Sequence, residues 1–280
     1  MVTGIIASGF ATVLLYPNTS GQSDGSPDMA SWTSPTTGFA PSQCSIRSST
    51  VKTSTGRTSC TAVSCHFPFA STPENAGYEV TFLPNHLASD EFPFTMEELK
   101  QYDGVILSDI GANTLLLPVA TFAHSRKMPD RCKLIRDYVL DGGALLMIGG
   151  YMTFSGVDAK GKWHDTAVQE VLPVEVLTVD DRMEHCDGAK PVVGDVHEAI
   201  SGLPSDWPEV LGYNKTVAKP EAIVPVTIEN DPFLALGAYG KGRSAAFTTD
   251  CAPHWAPPEF CEWEYYDQLW KGILDWLTRE

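Results

Sequence analysis

The sequence has few basic residues, no paired-cysteine motif and no long apolar run. Its 280 residues carry 19 Lys and Arg against 35 Asp and Glu, which gives a formal net charge of −16. A surface of this charge without a basic stripe repels phosphate backbones, so nucleic acid is not expected as a partner. No apolar stretch reaches the roughly 18–20 residues that cross a bilayer. The apolar start, MVTGIIASGFATVLLY, lacks the basic residues of a signal peptide, because Arg47 is the first base. We therefore expect a cytoplasmic protein that does not contact membranes.

The seven cysteines include no CxxC pair. Cys60, Cys65 and His66 lie close together in CTAVSCH, but one such cluster lacks the second pair of ligands that a structural zinc site needs. Scattered cysteines of this kind are typical of buried free thiols in a reducing compartment. No metal and no cofactor are expected.

The chain contains two kinds of sequence. Residues 1–73 are rich in Ser and Thr and show little periodicity, a composition typical of a disordered segment. Residues 1–75 hold only three acids and three bases, so the excess of negative charge lies in the rest of the chain. Residues 74–280 are predicted to form one ordered α/β domain.

Apolar periodicity defines the elements of this domain. GVILSDI and ALLMIGG are continuous apolar runs typical of buried strands, and the segment between them has helical spacing at Cys132, Ile135 and Val139. A strand, a helix and a strand in succession predict parallel strands joined by a crossover. Later segments such as PFLALGAY and GRSAAFTTD predict short strands in β hairpins, with a turn at Gly240-Lys241-Gly242. The end of the chain, EFCEWEYYDQLWKGILDWLTRE, predicts an amphipathic helix. Its predicted apolar face consists of Tyr266, Leu269, Trp270, Ile273, Trp276 and Leu277.

Several long stretches in this order resemble one known family. They include YDGVILSDIGANTLLL, MPDRCKLIRDYVLDGGALLMIGGYMTFSG and LGAYGKGRSAAFTTDCAPHWAPPEF. They are similar to the "putative glutamine amidotransferase" family, a cytoplasmic branch of the class I glutamine amidotransferase-like superfamily related to trehalose-utilisation-type proteins. The resemblance runs from about Gly77 to Trp276. It implies a flavodoxin-like, three-layer α/β/α fold with a mainly parallel sheet and late β hairpins.

The resemblance also implies an opening strand and helix that residues 1–73 do not supply. Two interpretations of this segment stay open. It is either a natural, disordered N-terminus or the product of a reading-frame error upstream of about Pro73. In the second case the sheet would lack its first strand, and marginal solubility is expected.

The resemblance implies that the usual nucleophile is missing. The superfamily's Gly-x-Cys-x-Gly elbow falls on Gly149-Gly150-Tyr151-Met152-Thr153, which places Tyr151 at the Cys position. His254 is followed by Trp255 and Ala256 rather than by the x-Glu of the superfamily. Because a phenol is a poor acyl-transfer nucleophile at neutral pH, glutamine hydrolysis by a Cys-His-Glu route is not expected. Cys251, close to His254 in sequence, is interpreted as a buried thiol rather than a substitute nucleophile.

Candidate site residues follow three buried strands, because ligands of open α/β sheets bind beyond the carboxyl ends of strands. Asp250 and His254 are candidates for acid/base catalysis, since a carboxylate that orients an imidazole is a common device. The other candidates are expected to contact a ligand, and they are Asp109, Gly111, Asn113, Gly149, Gly150, Tyr151, His164 and Trp255. Structural roles stay open as alternatives, with Gly149 and Gly150 as turn residues and His164 as a helix cap. Asp180 and Asp181 are interpreted as part of a solvated or ion-paired loop.

Three functions are consistent with the sequence. The first is a protein on the amidotransferase-like fold that lacks the nucleophile Cys and binds a small polar metabolite or a sugar at the strand ends. The second is an active glutamine amidotransferase or hydrolase with a rearranged site. The third is a non-catalytic assembly module, for which association into a homo-oligomer stays open. The fold alone does not choose among them.

Overall fold

The computed structural model describes residues 11–16, 59–60, 77–78 and 80–279. The expectation of disorder for residues 1–73 therefore falls mostly outside the described residues. The segment Ala11–Tyr16 is a strand that pairs with Val80–Pro84 and Gly104–Ser108, which corrects the expectation that residues 1–73 supply no opening strand. Within the described ranges, no helix combines the length and the apolar character needed to span a bilayer.

Thirteen strands are described. They are β1 (Ala11–Tyr16), β2 (Ser59–Cys60), β3 (Val80–Pro84), β4 (Gly104–Ser108), β5 (Ala144–Ile148), β6 (Val174–Val176), β7 (Arg182–Ala189), β8 (Val192–Val193), β9 (Val210–Asn214), β10 (Thr216–Ala218), β11 (Ile223–Ile228), β12 (Asp231–Tyr239) and β13 (Gly242–Phe247). The α-helices are α1 (Asn85–Glu91), α2 (Met96–Leu99), α3 (Ala112–Leu116), α4 (Val119–Phe122), α5 (Arg131–Leu140), α6 (Ala167–Glu170), α7 (Pro258–Cys261) and α8 (Tyr266–Thr278). Two short 3₁₀ turns complete the described elements, at Val157–Ala159 and Glu198–Ile200.

The main sheet is mixed, which corrects the expectation of a mainly parallel sheet. Its strand order is β2-β1-β4-β5-β13-β12-β11-β8, and β3 pairs with β1. Among the described strands, the parallel pairings are β4 with β5 and β5 with β13. β1 lies antiparallel to both β3 and β4, and β11, β12 and β13 pair antiparallel in succession. Short turns such as the one at Gly240, where φ is +61°, force the antiparallel direction of consecutive strands.

Strand β5 shows how the sheet is buried on both faces. Leu146 and Ile148 belong to a hydrophobic cluster that includes the apolar side of α8, whereas Leu145 and Met147 belong to a second cluster with α1 and α5. Side chains alternate between the faces of a strand, so the two clusters lie on opposite sides of the sheet. The continuous apolar character of ALLMI follows from this double burial.

The predicted helices α5 and α8 are confirmed. Asp130 begins α5, because its side chain accepts hydrogen bonds from the backbone N–H groups of Cys132 and Lys133. Cys132, Ile135 and Val139 are buried, as their spacing predicts. On α8 the whole predicted apolar face is buried, namely Tyr266, Leu269, Trp270, Ile273, Trp276 and Leu277.

Arg131, the first residue of α5, is fully buried and joins three helices. Its guanidinium donates to five backbone carbonyls at distances of 2.7–3.3 Å, those of Ala88, Ser89, Phe92, Thr114 and Leu115. These carbonyls lie at the C-terminal ends of α1 and α3, where most carbonyl groups have no partner within the helix. The carbonyl of Ala88 also accepts from the backbone N–H of Phe92. The guanidinium also lies over the ring of Phe94 at 4.5 Å. Burial lowers the pKa of Arg131 to about 10.

Candidate functional site

The three parallel strands β4, β5 and β13 end at one level of the sheet. Ser108 and Phe247 are both paired with Ile148, so the residues after these positions emerge side by side. We call the group formed there by Asp109, Tyr151, Asp250, His254 and Trp255 the strand-end corner. Five of the sequence-predicted candidates therefore belong to it.

Asp250 and His254 form a carboxylate–imidazole pair. Asp250 is fully buried, and its Oδ2 lies 3.3 Å from Nδ1 of His254. Its Oδ1 accepts a hydrogen bond of 2.9 Å from the backbone N–H of Cys251. Burial raises the pKa of the Asp250 carboxyl, and the imidazole acts in the opposite direction. The side chain of His254 is 31% exposed, so a buried carboxylate orients an imidazole that a ligand can reach.

Aromatic rings surround His254. The ring of Tyr151 meets it edge to face at a centroid distance of 4.3 Å, and Trp255 stacks on it at 5.0 Å. Glu184 joins the two aromatic residues, because the Tyr151 hydroxyl donates to its Oε1 and the Trp255 indole N–H to its Oε2, both at 2.9 Å. The Arg182 guanidinium lies over the Tyr151 ring at 4.6 Å. Burial raises the pKa of Tyr151, and Glu184 acts in the same direction, so the phenol keeps its proton at neutral pH.

Asp109 supplies a second buried carboxyl to the corner. It is 2% exposed. Its backbone φ of +45° lies in the left-handed region, which is uncommon for residues other than glycine. Its Oδ1 accepts a hydrogen bond of 2.6 Å from the backbone N–H of Met152. Burial raises the pKa of Asp109 to about 7, and the negative charge of Asp250 acts in the same direction.

The turn after β5 is held closed by Asn214, at the end of β9. Its Oδ1 accepts from the N–H of Gly150 at 2.9 Å, and its Nδ2 donates to the carbonyl of Gly150 at 3.2 Å. The N–H of Gly149 donates to the carbonyl of Phe247 at 2.8 Å. Neither glycine N–H is therefore open to an anion, and the turn role of both residues is the one that the geometry favours.

Asp181 is buried behind this turn, which corrects its interpretation as part of a solvated loop. It accepts hydrogen bonds of 2.8 Å from the backbone N–H groups of Ser155 and Gly156 and from Nδ2 of Asn214. Burial raises its pKa to about 6. Asp180, in contrast, forms the predicted ion pair, with its Oδ2 at 2.8 Å from Arg182.

Three candidates contact other parts of the molecule. Gly111 is buried and precedes α3, and Asn113 is exposed on that helix. Nδ1 of His164 lies 2.9 Å from the carbonyl oxygen of Val176, and its Nε2 lies 3.2 Å from Asp165. The contacts described for Asn113 and His164 do not join them to the strand-end corner.

Cys251 is close to His254 in sequence, but its thiol has a different neighbour. Sγ of Cys251 lies 3.7 Å from Oγ of Ser108, and the side chain is buried. Burial raises the pKa of this thiol well above its ordinary value, and the charge of Asp250 acts in the same direction. A protonated, buried thiol is not an activated nucleophile.

Glu184, Arg182, Asn214 and Asp181 were missed by the sequence interpretation. They come from β7, β9 and the loop before β7, and β7 and β9 form a separate two-stranded sheet. The sequence signal for Asn214 is an asparagine at the end of the mostly apolar strand VLGYN. Among the described residues, no group of three or more His, Cys, Asp or Glu side chains is arranged to hold a metal ion.

Comparison with known proteins gives a family match and a number of similar solved structures, two of which come from Salmonella typhimurium. A model of the family described as "Putative glutamine amidotransferase" matches residues 51–279, a range that begins upstream of Gly77. The Cytoplasmic Protein STM1381 from Salmonella typhimurium LT2 is 43% identical with a TM-score of 0.73, over 75% of this chain and 86% of that one. The Cytoplasmic Protein STM3548 from Salmonella typhimurium is 37% identical with a TM-score of 0.75, over 82% of this chain and 94% of that one. No curated protein sequence matches significantly.

Proposed function

The chain belongs to the family described as "Putative glutamine amidotransferase", and from that premise we propose that it binds a small polar molecule at the strand-end corner without hydrolysing glutamine. The ligand class is a sugar or another polar metabolite. The observation that carries this proposal is the identity of the groups around the imidazole of His254. A buried carboxylate, a phenol and an indole contact it, whereas the thiol of Cys251 contacts Ser108.

The geometry after β5 also supports a replaced nucleophile at Tyr151. A nucleophile elbow needs a sharp, strained turn directly between a strand and a helix. Here the positive φ of +149° belongs to Gly150 rather than to Tyr151, and the residues that follow form a loop that leads to the 3₁₀ turn at Val157–Ala159. The Tyr151 hydroxyl is engaged with Glu184 and keeps its proton. The position lacks both the backbone and the chemistry of an acyl-transfer nucleophile.

The corner has the properties of a site for polar ligands. His254 is partly exposed, and the ring of Tyr151 beside it offers an apolar surface with a polar tip. Behind them lie the carboxyls of Asp109 and Asp250, which hydrogen-bond hydroxyl groups whether protonated or charged. A few convergent polar groups on a partly apolar wall are typical of small-molecule sites.

The same proposal extends to the fold and location. Apolar clusters on both faces of the sheet support a flavodoxin-like, three-layer α/β/α arrangement for residues 74–280, with the late antiparallel strands as hairpins. The two similar Salmonella proteins are described as cytoplasmic, which supports the same location for this chain. Two segments of residues 1–73, Ala11–Tyr16 and Ser59–Cys60, form strands β1 and β2 of the main sheet. For the rest of residues 1–73, a disordered segment or a frame error stays a prediction, and sequencing the locus through codon 73 tests the second.

A thermal-shift screen tests ligand binding. The panel is D-glucose, D-ribose, myo-inositol, glycerol and L-glutamine, each at millimolar concentration. A compound that binds only the folded protein raises the melting temperature, and we expect this for at least one neutral polyol. His254→Ala should abolish the shift, whereas His124→Ala, an exposed residue after α4, should preserve it. No shift with any compound, or a shift that survives in His254→Ala, contradicts the proposal.

A glutaminase assay tests the second function. The wild-type protein is expected to release no ammonia from L-glutamine above the rate without enzyme. If ammonia is released and Cys251→Ala abolishes the release, the chain is an active amidotransferase with a rearranged site.

A further inference from the structure

Asp109 is placed at the corner by an unfavourable backbone conformation. It follows the last residue of β4 directly, and its φ of +45° is strained for a residue with a side chain. Such strain persists only where the surrounding structure imposes it, and it is concentrated at functional sites. Nine described residues other than glycine have a positive φ, and Asp adopts this region more readily than most, so the conformation places the Asp109 carboxyl but does not by itself assign it a function.

Gly150 makes room for the carboxyl of Asp109. A Cβ atom at Gly150 would lie 2.7 Å from Oδ1 of Asp109 and 2.9 Å from its Cγ, closer than van der Waals contact allows. The φ of Gly150, +149°, also favours glycine. The turn after β5 is thus shaped around this carboxyl group.

The surroundings of Asp109 differ from those of Asp181, the other buried carboxyl near this turn. Asp181 accepts from two backbone N–H groups and from the side-chain amide of Asn214, which accounts for its structural role. The hydrogen bonds described for the Asp109 carboxyl come from the backbone at Tyr151 and Met152. The charged groups that act on it are Asp250 and His254, both from the segment after β13.

We propose that Asp109 is the group that exchanges a proton with the bound molecule, together with the Asp250–His254 pair. This inference rests on the function proposed above and assigns its chemistry. Burial holds the pKa of Asp109 at about 7, so that both protonation states are populated at neutral pH, which suits a general acid or base.

Two proton-carrying groups at one corner are suited to moving a proton between two atoms of a ligand. As a carboxylate, Asp109 takes a proton from one atom of the ligand, while protonated His254 gives a proton to another atom. The ligand then has the same number of protons as before, and exchange with water returns both side chains to their starting states. An isomerisation of a hydroxylated carbonyl compound leaves the number of protons on the ligand unchanged in this way, and it needs no cofactor.

The first test needs no ligand. The protein is labelled with ¹³C at the aspartate carboxyl carbons, and the carboxyl resonances are followed by NMR from pH 4 to pH 9 in the wild type, Asp109→Asn and Asp181→Asn. The expected result is a resonance with a midpoint near 7, against about 3.9 for an ordinary aspartate, that Asp109→Asn removes and Asp181→Asn retains. A midpoint for that resonance near 4 overturns the inference. If Asp109→Asn does not fold, a wild-type spectrum with no aspartate midpoint between pH 6 and pH 8 overturns it as well.

The second test separates this inference from the proposed function. The panel compound with the largest thermal shift is titrated against the wild type and Asp109→Asn at pH 6, 7 and 8. The wild-type dissociation constant is expected to change several-fold over this range, and that of Asp109→Asn to change by a smaller factor. If both proteins bind the compound equally at all three pH values, the role of Asp109 is refuted and the binding function stands. If no compound binds the wild type, the proposed function fails, and the NMR titration still decides whether Asp109 carries a proton at neutral pH.

Discussion

Arg131, at the junction of α1, α3 and α5, and Asp109, at the strand-end corner, are both buried charged residues in very different surroundings. Arg131 donates to five carbonyls at two helix ends, where most carbonyl groups lack a partner within the helix, so its charge stabilises these ends. Asp109 has a positive φ, and the hydrogen bonds described for its carboxyl come from backbone N–H groups. The nearby carboxylate of Asp250 disfavours its negative charge. A buried charge with all its hydrogen bonds formed supports the fold. One that is only partly compensated is a candidate for chemistry.

The largest effect is expected from removing the guanidinium at the first of these regions. Arg131→Met keeps much of the apolar volume but leaves five buried carbonyls without their donor. Each buried polar group without a partner is costly, so we expect the free energy of unfolding to fall by about 3–5 kcal/mol. Urea denaturation at pH 7, monitored by circular dichroism, measures this change.

Arg136→Met is the matched control, because Arg136 lies on the same helix and its side chain pairs with Asp137 and Glu170 near the surface. A surface ion pair contributes little, so its loss is expected to cost less than about 1 kcal/mol. Equal effects of the two substitutions would show that the carbonyl contacts of Arg131 do not stabilise the fold.

Asn214→Ala is expected to have the next largest effect. It removes the hydrogen bonds to both peptide groups of Gly150 and to Asp181. The expected decrease in the free energy of unfolding is about 2–4 kcal/mol, measured by the same urea titration. Asn113→Ala, at an exposed position on α3, should change it by less than about 0.5 kcal/mol. A small effect of Asn214→Ala would mean that water replaces the amide and that the turn does not depend on it.

Substitution of Asp109, in contrast, should raise the free energy of unfolding at neutral and higher pH. Its folded pKa of about 7 lies above the unfolded value of about 3.9. Between these values the unfolded chain binds fewer protons, so the wild type loses stability as the pH rises through about 7. Asp109→Asn retains an oxygen to accept from Met152 and carries no charge. We expect it to be more stable than the wild type by about 1–3 kcal/mol at pH 8, with a smaller difference at pH 5.

Thermal and urea unfolding at both pH values measure this difference. Asp181→Asn serves as the contrast, because its amide N–H₂ would face the backbone N–H of either Ser155 or Gly156, which donate to different oxygens of Asp181. That variant should be less stable than the wild type at pH 8. Parallel pH profiles of the wild type and Asp109→Asn would show that burial of Asp109 does not oppose its charge.

The sequence predicted those parts of the molecule that depend on local patterns. Helices α5 and α8 and the parallel pair β4–β5 follow from apolar periodicity, and Asp109, Asp250 and His254 follow from their positions after strands. The antiparallel placement of β1 between β3 and β4 could not be predicted, because strand direction depends on partners distant in the chain.

The same limit explains the site residues that were missed. Glu184 and Asn214 reach the corner only because the β7–β9 sheet lies against it, and no local pattern reports that packing. Asn113 is predicted as a ligand-binding residue from its position after a strand, but its side chain is exposed on α3. Local sequence thus predicts which residues follow the ends of the strands, and tertiary packing determines which of these residues are in contact.

The smallest effect is expected at the hydroxyl of Tyr151. Tyr151→Phe keeps the ring, with its contacts to His254 and Arg182, and removes only the hydrogen bond to the exposed carboxylate of Glu184. Water can hydrate that carboxylate, so the free energy of unfolding should fall by at most about 1 kcal/mol. Tyr266→Phe is the contrast, because the hydroxyl of Tyr266 donates to the buried carbonyl of Cys251 at 2.5 Å, and its loss should cost about 1–2 kcal/mol. If Tyr151→Phe proves the more destabilising of the two in urea titrations, the Tyr151–Glu184 contact supports the fold, and the corner resembles the Arg131 junction more than an open binding site.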